Sequence, residues 1–91
     1  MLIQYRTSEL ETECTDARVA SRKYGDEMAR RLQLRILQLR NATDLRSLLQ
    51  LHIGRCHALK GDRKGQYAMD LVHPMRLIFI IVEGQVQIAS I

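Results

Sequence analysis

The spacing of apolar residues changes period along the chain, and each change marks an element. "MLIQY" has enough apolar character for a short first strand. From Ser8 the spacing becomes helical, with Leu10, Cys14, Ala17 and Ala20 on one side. Ser8 is read as the N-cap, and Glu11 three residues later completes a capping box. Gly25 ends this helix and Asp26 caps a second. In that second helix Met28, Leu32, Ile36 and Leu39 fall within about 80° of one another at 100° per residue, which makes a core stripe. Leu34 points away from the stripe. Its default neighbour is the first helix; the alternative is an outside partner received among Arg30, Arg31 and Arg35. "NATDLRSLLQL" then predicts a turn and a short third helix capped by Thr43 or Asp44.

From about Arg55 the period falls to two. Tyr67, Met69 and Leu71 alternate with Gln66, Ala68 and Asp70, as in a half-buried strand. His73-Pro74 interrupts the run, because proline lacks the amide donor a ladder needs. "RLIFIIV" is apolar on both faces and predicts a central strand covered on both sides. Glu83-Gly84 suggests a tight turn, after which "QVQIASI" returns as a strand with Val86 and Ile88 facing inward. The order of strand, helices and antiparallel meander is that of an α+β domain. At 91 residues there is room for one such domain, spanning 1–91.

Composition narrows the setting. The chain is 46% apolar with three Tyr, one Phe and no Trp, so Leu, Ile and Val must fill its core. The longest apolar run, Leu77 to Val82, is far short of the roughly 20 residues of a membrane-spanning helix. Cys14 and Cys56 lie far apart with no CxxC pattern, and a reduced cytoplasm is the simplest setting. The net charge is +4, unevenly spread: Glu9, Glu11, Glu13 and Asp16 make the beginning acidic, whereas Arg18 to Lys64 holds twelve Lys/Arg against four acids. A basic face of this kind attracts polyanions, nucleic acid above all, or an acidic protein.

The densest chemistry runs from Arg55 to Arg76: Arg55, His57, Lys60, Arg63, Lys64, Tyr67, His73 and Arg76. No nucleophile triad, carboxylate pair, P-loop or zinc spacing accompanies them, and His52 with Cys56 lacks the further ligands a metal site requires. A basic site without metal or cofactor suits cleavage of RNA by its own 2′-hydroxyl. That reaction needs a base, cations around the phosphorane and an acid for the leaving 5′-oxygen. Lys60, close in sequence to Arg63 and Lys64, is a candidate base. Arg63 and Arg76 are natural phosphate holders, and His57 or Tyr67 can donate the last proton. Arg55, Lys64 and His73 are further candidates for RNA or ribosome contact. Each residue also has a plainer reading: the lysines and Arg63 as a soluble hairpin tip, Tyr67 as packing, His57 bonded to a carbonyl, His73 as part of a turn.

"HALKGDRKGQY", followed by "RLIFIIVEGQVQI", resembles the HigB branch of the RelE-like bacterial toxins. The helical stretch "ARRLQLRILQLRNATDLRSL" is also similar to the family's helix pair and the segment after it. The resemblance implies a compact fold with an N-terminal strand and helices packed on a twisted, mainly antiparallel sheet. It implies the toxin of a type II toxin–antitoxin pair, which enters the ribosome and cuts translated mRNA without a metal. Lys60 then matches a catalytic or phosphate-contacting lysine, Arg76 the phosphate-binding arginine, and His57 the family histidine. Arg63 and Lys64 match contacts to RNA or ribosome. The implied partner is a HigA-type antitoxin with a helix-turn-helix domain, and operator DNA is reached only through that complex.

Two departures stand out. His73-Pro74-Met75 occupies the place of a polar turn and an aromatic. Family chains continue past the last strand into an acid–aromatic–histidine end, whereas this sequence stops at Ile91. An alternative expectation therefore stands beside the nuclease: an impaired or shortened homologue that binds antitoxin or ribosome, or serves as an operon co-repressor.

Overall fold

The helical periodicity from Ser8 to Tyr24 is cut at Asp16. In the computed structural model, which describes residues 1–91, Asp16 is extended and its carboxylate accepts from the amides of Arg18 and Val19 at 3.0 and 3.4 Å. One expected helix is thus two, α1 (Ser8–Thr15) and α2 (Ala17–Tyr24). The cap of α1 is Thr7, not Ser8: Thr7 Oγ1 accepts from Leu10 N at 3.1 Å. The two helices form a hairpin held by charge. Buried Glu13 accepts hydrogen bonds from the Tyr24 hydroxyl and, at 3.0 Å, from Lys23 Nζ, which also reaches Glu9 at 3.2 Å.

Gly25, at φ +89°, is the N-cap of α3 (Asp26–Asn41). Asp26 is therefore the first helical residue rather than a cap, and with Glu27 it places negative charge where the helix dipole favours it. Met28, Leu32, Ile36 and Leu39 are all buried, as their spacing predicts. Leu34 remains 43% exposed, so it does not serve as packing against the first helix. Arg35, expected among surface cations, is instead 8% exposed. A fourth helix, α4 (Leu45–Gln50), is capped by Asp44, whose carboxylate accepts from Ser47 N at 2.9 Å.

The strands are β1 (Ile3–Tyr5), β2 (His57–Ala58), β3 (Tyr67–Asp70), β4 (Arg76–Val82) and β5 (Gln85–Ser90), arranged β1-β5-β4-β3-β2. The apolar "RLIFIIV" run is the central strand. Neighbours from β2 to β5 pair antiparallel, and β1 runs parallel to β5. Glu83 and Gly84, both at positive φ, turn β4 into β5. Leu77, Phe79, Val86 and Ile88 face the helices and join their core. The other face carries a smaller cluster of Ala68, Ile78 and Ala89, partly covered by Leu59. Burial of Ala68 as well as Met69 departs from the alternation expected of β3, because both faces of this strand are covered.

Candidate functional site

Strand register sorts the candidate residues by face. His57 lies opposite Ala68, Ala68 opposite Ile78, and Asp70 opposite Arg76. Side chains alternate along a strand. His57, Asp70 and Arg76 therefore share the sheet face that carries Ala68 and Ile78, the face turned away from the helices. Tyr67 lies opposite Phe79 and stacks on it with ring centroids 5.7 Å apart. It belongs to the helix side, so the register separates it from Arg76 and His57.

Two adjoining hollows open on the outer face. One, of about 330 Å³, is lined by Arg55, Asp70, His73, Pro74 and Arg76 among others. The second, of about 190 Å³, is bounded by Arg63, Arg76, Ser90 and Ile91. Arg76 lines both. A larger hollow of about 430 Å³ beside the C-terminal end of α3 has no ionisable side chain in its wall, so chemistry rather than size favours the outer face. Lys60 and Lys64 project from the exposed 59–66 loop and line neither hollow. That loop is closed by Leu59 N donating to Gln66 O at 2.9 Å.

Electrostatics divides the cations into two sets. Arg55 is spent on Asp70: its Nε meets Oδ2 at 2.6 Å and its Nη2 meets Oδ1 at 2.9 Å. The guanidinium hydrogen bonds hold the Asp70 carboxyl below its ordinary value, and Asp70 in turn raises Arg55. Lys60, Arg63, Lys64 and Arg76 enter none of the molecule's ion pairs. Their charge is free for an anion, and Arg76 is only half-exposed. His57 Nδ1 lies 2.8 Å from the carbonyl of Arg55. A carbonyl can only accept, so Nδ1 carries the proton and Nε2 of the neutral ring keeps a free lone pair.

Two residues of the site escape sequence reading. Asp70 looks like an ordinary polar position on a strand, and only the register places it beside Arg76. Buried Arg35 donates from Nε to the Asp70 carbonyl at 2.6 Å and from Nη1 to Gln38 Oε1 at 3.0 Å. Burial lowers its pKa, as does Arg31, while Asp70 opposes the shift. No local signal marks it out from the other arginines of α3. Both cysteines are buried thiols, pushed up to about 12 at Cys14 and about 11 at Cys56, mainly by desolvation. Cys56 is thus part of the core, and its spacing from His52 does not form a ligand pair on the surface. No helix is long and apolar enough to cross a membrane.

No protein-family model matches the sequence, and no curated protein matches it. The fold does match solved structures. The chain superposes on YoeB in a YoeB-YefM complex from Staphylococcus aureus with a TM-score of 0.65 and 20% identity, covering 99% of this chain and 93% of that one. A YoeB/ParE toxin from Agrobacterium tumefaciens gives 0.67 at 13% identity, covering 99% and 94%. The YoeB dimer from Staphylococcus aureus gives 0.64 at 19% identity, covering 99% and 92%. The helices packed on a five-stranded mixed sheet are therefore the same fold as that of these YoeB and YoeB/ParE toxin structures.

Proposed function

We propose that this protein is the toxin of a type II toxin–antitoxin pair, a metal-independent endoribonuclease that cuts mRNA on the ribosome. The carrying observation is the outer sheet face, where unpaired Arg76 stands between two hollows, with Arg63 on the wall of the second and His57 on the same face two strands away. Within this fold the HigB branch is favoured by the run from Leu59 to Gly65. The partner is then a HigA-type helix-turn-helix antitoxin, with operator DNA engaged through the complex and the toxin at work in the cytoplasm.

The reaction assigns one task to each group. His57 Nε2 takes the proton from the 2′-hydroxyl as its oxygen attacks the adjacent phosphorus. Arg76, with Arg63, donates to the phosphorane oxygens, where charge accumulates. Lys60, a candidate base by sequence, takes the acid's place instead, since the carbonyl at His57 Nδ1 leaves Nε2 as the acceptor. Lys60 protonates the departing 5′-oxygen, leaving a 2′,3′-cyclic phosphate and a 5′-hydroxyl. Lys64, and Arg55 and His73 at the rim, contact the flanking RNA or ribosome. Tyr67 has no part in this scheme, since it faces the helices.

The test maps 5′ ends on a message translated in a purified system. The wild-type chain is expected to create new ends inside translated codons, and Arg76→Ala to reduce them by roughly 100-fold or more, the usual cost of one transition-state donor. Lys60→Ala is expected to abolish cleavage with the fold intact. Intact message in the presence of folded wild-type protein would instead favour a homologue that binds without cutting.

A further inference from the structure

Arg55 is held more firmly than an exposed arginine needs to be. His52, Gly54 and Arg55 all have positive φ, a conformation that non-glycine residues rarely adopt, and this turn delivers Arg55 to the cleft. Its fork-like pairing with Asp70 uses two of the five guanidinium hydrogens. The Asp70 backbone is fixed from behind by buried Arg35. What remains free is the outer edge of the guanidinium, formed by Nη1 and the second hydrogen of Nη2.

We infer that the cleft reads guanine, with Arg55, buttressed by Asp70, presenting that free edge to O6 and N7 of a base beside the phosphate at Arg76. This deepens the proposed function and rests on RNA as the substrate. The pairing with Asp70 argues against an RNA phosphate at Arg55, because the two charges cancel and an anion next to Asp70 is repelled. A neutral base with two adjacent acceptors gains from the paired donors without that repulsion. Adenine presents an amino donor where guanine has O6, so donor would face donor. The cleft volume, about 330 Å³, lies at the lower end of the range for small-molecule sites, about 300–1,000 Å³. His73 and Pro74 at its rim offer flat surfaces against which a base can stack.

The test titrates the full chain with 5′-GMP, 5′-IMP, 5′-AMP and 7-deaza-GMP, following the arginine Nε resonances by NMR. GMP and IMP, which share the O6/N7 edge, should shift Arg55 and bind alike, whereas AMP and 7-deaza-GMP should bind roughly tenfold more weakly. Arg55→Lys keeps the charge but loses the fork and should abolish the preference while inorganic phosphate still shifts Arg76. Asp70→Asn, shown to be folded by its amide spectrum, should reduce the same preference while inorganic phosphate still shifts Arg76, a readout that a purely structural role would not move. Equal binding of AMP and GMP, a preference that survives Arg55→Lys, no response of Arg55 to GMP, or an equal response to inorganic phosphate would each overturn the inference. A GMP preference in a protein that leaves message intact would remove the nuclease reading and leave the guanine site standing.

Discussion

Gly54 shows how little room lies behind the site. A Cβ there would come within 2.7 Å of Arg35 Nε, and φ is +57°. Arg35 cannot move aside without breaking its bond to the Asp70 carbonyl. Gly54→Ala is expected to destabilise the protein by about 1–3 kcal/mol in urea titration, from backbone strain and the lost hydrogen bond together. Glu13 governs a different property. Burial alone would raise its pKa, but hydrogen bonds from Tyr24 and Lys23 and the Lys23 charge outweigh that effect, and the net value lies below 4.5. A carboxylate depressed in the folded state stabilises the protein above its unfolded pKa and ceases to do so as pH falls through the folded one. Stability should therefore be full above about pH 5 and decline with acidification below 4.5, Asp44 and Asp70 adding in the same sense. Melting temperatures of wild type and Glu13→Gln should converge at low pH; parallel curves would refute the assignment.

The helices stand or fall by their caps. Removing a capping side chain costs about 1 kcal/mol. Thr7→Ala and Asp16→Ala should each lose about that much in urea titration, whereas Ser8→Ala should cost distinctly less. The core stripe of α3 was legible because periodicity alone decides which side of a helix is apolar. The break at Asp16 was not, since an aspartate inside a helical pattern reads equally as a solvated position. Among the strands, the central place of β4 followed from its two apolar faces, and the β4–β5 turn from Glu83-Gly84. The parallel pairing of β1 with β5 joins segments about eighty residues apart and leaves no local trace. The same limit applies to the site. Its cations were visible as a cluster, but register alone decided that Asp70 joins Arg76 and that Tyr67 does not.

At the scale of the whole molecule, Lys60, Arg63, Lys64 and Arg76 put unpaired charge on the outer face and its loop, while the helical layer carries further unpaired arginines, Arg22, Arg30, Arg31, Arg40 and Arg46, beside exposed Leu34, Leu37 and Leu51. Binding to ribosomes or RNA through the basic face should weaken steeply with added salt. Lys64→Ala should lower affinity uniformly across sequences and reduce the slope of log affinity against log salt by about 1, measured by filter binding. The topology also orders events in time. β5 lies between β1 and β4, so Gln85–Ser90 is an interior strand rather than an edge. Until Gln85–Ser90 emerges during synthesis, β1 lacks its sheet partner and β4 lacks one of its two. Ser90 and Ile91 also wall the second hollow beside Arg76. A nascent chain therefore carries its cations before the surface that aims them is complete.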